Sequence, residues 1–271
     1  MRINTLISDK VVVVTGGSRG IGKMVCTTLV IQKARLASVY ISSRSGKDCD
    51  TTAAELNATG PGTCIALPAN LATPEGVEFL VAELTKREKA VHVLVNNAGA
   101  VWGAKIEAYP DAAFSKVLNL NLQSVFSLTQ KLLPLLRAAA ASSKVKTAFT
   151  DPSRIINIGS VEGLGVPAHE TYAYSASKAA LHHLSRHLAG RLGPDGITSN
   201  TIACGPFPSK MMAATLEKME DAFNDMIPLG RVGKPEDVAG TALYLASPAG
   251  SWVSGATLTL DGGFLVSMSK L

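Results

Sequence analysis

VVVVTGGSRGIGKMVCTTLV, residues 11–30, is the stretch on which the fold turns. Its opening, VVVVT (11–15), is the β-branched apolar run of a strand buried on both faces. It passes directly into Thr15-Gly16-Gly17-Ser18-Arg19-Gly20-Ile21-Gly22 and then into a helical pattern predicted over 21–34. Glycine lets a backbone approach a phosphate closely, and the N-terminus of the following helix offers free N–H groups and a positive dipole end. A tight structural turn is the plain alternative. The position between strand and helix, opening a β-α-β unit, favours pyrophosphate binding by Gly16, Ser18, Arg19, Gly20, Ile21 and Gly22.

Outward from this turn, short β-branched runs alternate with amphipathic stretches. Strands are predicted at 11–15, 37–42, 63–68, 91–95, 154–159, 197–203 and 257–260, and helices at 21–34, 51–58, 74–88, 111–137, 172–192 and 235–247. Such alternation implies right-handed crossovers and a parallel sheet covered by helices on both faces. No linker or repeat interrupts it, so one domain over 1–271 is expected. Ligands of such sheets sit beyond the carboxyl ends of the strands. Residues 204–230 follow a strand and carry Pro206, Pro208 and Pro228, so they are expected to cover the site. Residues 138–153 join a helix to a strand and should lie at the opposite edge.

Composition narrows the function classes. Of the 271 residues 46% are hydrophobic and 17% charged, which excludes a disordered chain. No apolar run reaches the roughly 18 residues of a membrane span, and the N-terminus lacks a secretory h-region. The net charge of +5 comes from basic residues scattered singly, which argues against a nucleic-acid surface. Cys26, Cys49, Cys64 and Cys204 form no C-x-x-C pair, so neither disulfides nor a metal site are expected.

The second strand ends in Ile41-Ser42-Ser43-Arg44, with no acidic residue before Asp48. A carboxylate there would accept bonds from the ribose 2′-hydroxyl of NAD. Arg44 instead suits the 2′-phosphate of NADPH/NADP+, with Ser43 as a donor and Arg19 nearby. In Tyr174-Ser175-Ala176-Ser177-Lys178, four residues make about one helical turn, so phenol and ammonium share a face. The Lys178 cation, together with an oxidised nicotinamide ring during turnover, is expected to lower the Tyr174 pKa from its ordinary value near 10. Tyr172 is the rival phenol, but its partner one turn on is Ala176. Ser160, fourteen residues before Tyr174, is placed to hold a carbonyl oxygen that Tyr174 protonates.

Taken together, TGGSRGIG (15–22), NNAG (96–99), Asn121 in NLNLQSVF, Ser160 in NIGS, YSASK (174–178) and DGG (261–263) make the chain resemble a one-domain short-chain dehydrogenase/reductase over almost its whole length. The resemblance implies a Rossmann-type doubly wound seven-stranded parallel sheet in the order 3-2-1-4-5-6-7. It implies that Asn121 anchors a water in a proton relay through Lys178, which would also hold the nicotinamide ribose. It makes Asn96, Asn97, Ala98 and Gly99 cofactor-side and structural, places Asn70 and Leu71 by the adenine, and puts Gly205 at the cofactor. Two departures from the pattern are Asn70, where aspartate is frequent, and Cys204-Gly205-Pro206, where Pro-Gly is usual. The run GPFPSKMM (205–212) is locally similar to 3-oxoacyl reductases.

These features point to NADPH-dependent reduction of a ketone to a secondary alcohol. Alcohol oxidation in reverse and a non-catalytic NADP(H) sensor are the alternatives; a nucleotide-sugar epimerase would need a larger C-terminal region. Loops 100–110, 160–171 and 204–228 should line the pocket, offering Trp102, Leu164, Val166, Phe207, Met211 and Met212 to an apolar or acyl ketone; Glu162 and His169 have the chemistry to orient polar groups, but both read first as exposed loop residues. The resemblance implies a homotetramer paired across a two-fold axis through 111–137 and 172–192, with the C-terminal strand making a second contact. The terminal Ser269-Lys270-Leu271 matches the address read by the peroxisomal import receptor, with a cytoplasmic enzyme as the alternative.

Overall fold

A computed structural model describes residues 7, 9–31, 37–209 and 212–267. Strand β1 (Val11–Thr15) leads into α1 (Gly20–Ile31), β2 (Ser38–Ser42) into α2 (Gly46–Asn57), and β3 (Thr63–Ala66) into α3 (Pro74–Arg87). Strand β4 (Val93–Asn96) is followed by α4 (Asp111–Leu118) and α5 (Ser124–Ala141). A short antiparallel hairpin, β5 (Lys144–Val145) and β6 (Ala148–Phe149), precedes β7 (Ser153–Ile158), α6 (Tyr172–Leu192) and β8 (Ile197–Cys204). Then come α7 (Ala213–Met226), α8 (Pro235–Ala246) and β9 (Thr257–Leu260).

Among the described residues, seven strands form one parallel sheet in the order β3-β2-β1-β4-β7-β8-β9, the expected order. Its direction of growth reverses between β1 and β4, which opens a crevice at their carboxyl ends. Side-chain alternation explains the four valines. Val12 and Val14 pack with Val25, Leu29, Val238 and Ala242 on one face, and Val13 packs with Leu80, Leu84 and Leu132 on the other. All three are fully buried, which is why the strand shows no polar alternation.

The structure corrects several predicted boundaries. Helix α2 starts at Gly46 rather than at 51, because the Ser45 hydroxyl accepts a bond from the Asp48 N–H (3.2 Å) and caps it. The helix predicted over 111–137 is two helices joined by a π turn, Asn119–Gln123, and α5 runs on to Ala141. The connection 138–153 therefore begins as helix and holds the β5–β6 hairpin. It lies at the amino-terminal edge of the sheet, where Ser153 N–H donates to Gly196 O (2.9 Å) and Lys10 Nζ meets Asp151. Residues 204–230 contain α7, which the prolines had obscured. No helix among the described residues is long and apolar enough to cross a membrane. Met211 and Ser269-Lys270-Leu271 lie outside the described residues.

Candidate active site

The glycine turn is built by steric exclusion. Gly16 has φ +64°, and a Cβ there would come within 2.7 Å of Asn97 Nδ2. A Cβ on Gly22 would sit 2.3 Å from the Gly16 carbonyl oxygen, so only glycine lets α1 start this close to β1. Asn97 then fastens the turn: its Nδ2 donates to Thr15 O (2.9 Å) and Gly16 O (3.1 Å). Thr15 Oγ1 accepts from the N–H groups of Asn97 and Ala98 (2.9 and 3.0 Å). Ser18 donates to Ser43 Oγ across 3.0 Å, which brings the turn and the end of β2 together. Arg19 and Arg44 are exposed beside this hydroxyl pair, and among the described residues neither holds an ion pair. This glycine cradle with a hydroxyl pair and two uncommitted guanidiniums fits a phosphorylated dinucleotide.

Two other cofactor candidates are placed differently. Asn70 is exposed and already turns its Oδ1 to the Ala72 N–H (3.3 Å). Gly205 touches protein: a Cβ there would lie 2.9 Å from Asp261 Cα, so the glycine admits the DGG segment.

Strand β7 ends at Ile158 and delivers Ser160 to the same edge of the sheet. Lys178, buried on α6, donates from Nζ to the Ile158 carbonyl (2.7 Å) and lies 5.5 Å from the centre of the Tyr174 ring. The shared helical face predicted for the pair is thus present. Its electrostatic consequence is different from the expectation. Burial pushes the Tyr174 phenol well above its ordinary range, a Ser160 hydrogen bond draws it partly back, and Glu162 adds to the rise. The ammonium stands over the ring and is committed to a carbonyl, so desolvation prevails. Burial likewise brings Lys178 down to about 8. The rival Tyr172 is half exposed and stacks edge-on against Tyr109, with centroids 5.6 Å apart.

Asn121 sits inside the π turn, a distortion that recurs at functional sites. Its Oδ1 accepts from Ala100 N–H (2.8 Å), and its Nδ2 donates to Ala100 O (2.9 Å) and Ser177 Oγ (3.0 Å). Ser177 in turn donates to the Tyr174 carbonyl (2.7 Å), so Asn121 is tied to the helix turn that carries the phenol. Gly99 is needed beside it, since a Cβ would approach Asn121 Oδ1 to 3.2 Å.

The pocket loops diverge in part from the sequence reading. Trp102, Leu164 and Val166 are exposed, whereas Phe207 is buried against Gly233 in the core. Met212 packs toward Phe223 and Ile227. His169 is exposed, but Glu162 is not a free loop residue: its Oε2 accepts from Thr171 Oγ1 (2.6 Å) and Ser175 Oγ (3.0 Å), latching the loop to α6. The four cysteines are buried free thiols, and burial raises Cys204 to about 12, which makes it unreactive.

Sequence reasoning missed a buried polar strip along α6. Beyond Tyr174 and Lys178 it includes His182, whose Nε2 accepts from the Ser160 N–H, and Ser185, which meets Asn157 Nδ2 (3.1 Å). Asn157 Oδ1 accepts from Asn96, so the NNAG segment is linked to the same strip. The four-residue spacing of 174, 178 and 182 was the available signal.

The chain and its fold have counterparts among known proteins. The family model described as enoyl-(acyl carrier protein) reductase matches residues 16–265. The rhamnolipids biosynthesis 3-oxoacyl-[acyl-carrier-protein] reductase of Pseudomonas aeruginosa is 43% identical, over 95% of this chain and 97% of its own. The L-rhamnose 1-dehydrogenase (NAD(P)(+)) of Azotobacter vinelandii is 33% identical, over 97% and 99%. The solved Pseudomonas aeruginosa RhlG/NADP active-site complex superposes with a TM-score of 0.89 at 42% identity, covering 97% of this chain and 99% of that one. The chain belongs to the short-chain dehydrogenase/reductase family and is an oxidoreductase of carbonyl and alcohol groups.

Proposed function

We propose that the chain uses NADPH to reduce an apolar ketone, of which a 3-oxoacyl thioester is the leading candidate, with Tyr174 as the proton donor. The observation that carries this reading is the meeting of Ser160, Tyr174 and Lys178 on one edge of the sheet beside the glycine turn. Bound NADPH supplies the hydride. Gly16, Ser18, Gly20 and Gly22 hold its pyrophosphate, Ser43, Arg44 and Arg19 its 2′-phosphate, and Asn70 and Leu71 border the adenine. Ser160 orients the carbonyl oxygen, and the high pKa of Tyr174 keeps its proton in place until that oxygen becomes basic. Lys178, lowered to about 8, exchanges protons near neutral pH and returns one to the phenol, with Asn121 shaping the path from solvent.

Exposed Trp102, Leu164, Val166 and Leu229 give the mouth an apolar rim that suits an acyl chain better than a sugar. The relatedness to a 3-oxoacyl reductase supports the same choice. The functional unit is a homotetramer joined across a two-fold axis through α4–α5 and α6, where Phe114, Phe126 and Tyr172 are exposed, with the C-terminal strand β9 making the second contact. Ser269-Lys270-Leu271 is its peroxisomal address. The test of the chemistry is Tyr174→Phe. Turnover of 3-oxoacyl thioesters and ketones should fall by roughly 10²–10⁴-fold while NADPH still binds. A near wild-type kcat would remove Tyr174 from the role.

A further inference from the structure

Helix α6 carries a histidine that the chemistry above does not use. His182 is buried, two turns beyond Tyr174 and one beyond Lys178. Its Nε2 accepts a long hydrogen bond (3.4 Å) from the backbone N–H of Ser160. The chain makes room for this ring at two places. A Cβ on Gly159 would lie 2.3 Å from His182 Nε2, and one on Gly163 would lie 2.8 Å from its Cε1. The imidazole is thus wedged into the elbow Gly159–Gly163, whose middle residues are Ser160, Val161 and Glu162. Its other nitrogen, Nδ1, is buried with no hydrogen-bond partner among the described residues. A leucine would fill a similar space without that orphan donor, so a histidine kept here calls for a reason other than stability.

We propose that His182 is a positioning residue for carbonyl reduction: it pins the elbow that presents Ser160 against the helix that presents Tyr174 and Lys178. The bond requires Nε2 to be an unprotonated acceptor. Burial, with Lys178 and Arg186 adding to it, brings the ring down to about 4, so the acceptor persists at neutral pH. The groups facing the ring are the Lys178 cation, the Ser160 amide and the two glycines; Arg186 lies one turn on along the same helix. The proposal rests on the assignment of Ser160 and Tyr174 to the reaction.

The test compares His182→Leu, which keeps bulk and removes the acceptor, with His182→Gln, which restores one. NADPH affinity and melting temperature should stay at wild-type level or, for His182→Leu, the melting temperature should rise. Turnover of the 3-oxoacyl thioester or ketone that the unmutated enzyme reduces should fall about 10- to 100-fold in His182→Leu, as expected for small misplacement of a reacting group, and recover in His182→Gln. In a Ser160→Ala background the same leucine change should add little, because both losses run through one group. Amide hydrogen exchange of the 159–164 segment, which needs no substrate, should quicken about 10-fold in His182→Leu and return toward wild type in His182→Gln. Unchanged exchange, wild-type kcat in His182→Leu, or fully additive losses with Ser160→Ala would each overturn the proposal. A fully active Tyr174→Phe enzyme would instead overturn the catalytic reading beneath it.

Discussion

Asp151→Asn should weaken the fold and leave the chemistry alone. Asp151 receives Lys10 Nζ at 2.5 Å on one oxygen and Arg154 at 2.8 Å on the other. The Arg154 side chain is 1% exposed and Lys10 is 8% exposed. With a neutral amide in place of the carboxylate, Arg154 loses its counter-charge and is left with neutral acceptors, among them the carbonyls of Leu245 and Ser247, while its second terminal nitrogen has no partner at all among the described residues. Removing one member of a buried pair costs about 3–5 kcal/mol. Asp151 itself is 34% exposed, so water screens part of that loss and about 2–4 kcal/mol is expected. For a domain of this size each kcal/mol moves Tm by about 2–4 °C, giving a drop of roughly 5–15 °C at pH 7. Burial alone would raise the Asp151 carboxyl, but Lys10 and Arg154 outweigh it and hold it below its ordinary value. A carboxylate depressed in the folded state stabilises above its unfolded pKa, near 4, and loses that contribution as pH falls through the folded value. The difference between wild type and variant should therefore be full at pH 7 and shrink below about pH 4. Calorimetric or fluorescence melts across pH measure this, with kcat as a control because the cluster sits at the far edge of the sheet. Equal melting at pH 7, or a gap that grows on acidification, would refute the reasoning.

Arg44→Asp should lower kcat/KM for NADPH by about 10- to 100-fold, the value of one or two charge-assisted bonds, with little change for NADH; steady-state kinetics with both cofactors decide it, and equal use of both by the unmutated enzyme would refute the assignment. Light scattering in dilute buffer should give a mass four times that of the chain; a stable monomer contradicts the assembly, and a dimer contradicts its second interface alone. A fluorescent protein fused to the N-terminus should appear punctate in a eukaryotic host and diffuse once residues 269–271 are deleted, and diffuse signal from the intact chain would remove the peroxisomal assignment.

The α6 strip marks where legibility stopped. Tyr174 and Lys178 stood out because their spacing carries a known chemical logic, and Ser160 because it follows a strand. His182 did not, since His183 and His187 on the same helix look alike in one dimension. Only packing sends His182 inward against Gly159 and Gly163 and leaves His183 and His187 outside. The π turn at Asn119–Gln123 was likewise invisible, because an inserted residue changes no apolar periodicity strongly enough to notice. Glu162 read as a loose loop charge, and its partners Thr171 and Ser175 become neighbours only when the loop folds back on α6.

What the amino-acid order determined by itself was local and periodic: seven β-branched runs, the helices between them, a glycine turn that excludes any Cβ, and the absence of an acidic residue at the end of β2. These rest on backbone sterics and side-chain alternation, which act over a few residues. Only the tertiary structure decided the sign of the Tyr174 shift, the burial of Phe207, and the role of Asp151 under two cations. Each depends on how much water is excluded and on which group, distant along the chain, takes its place.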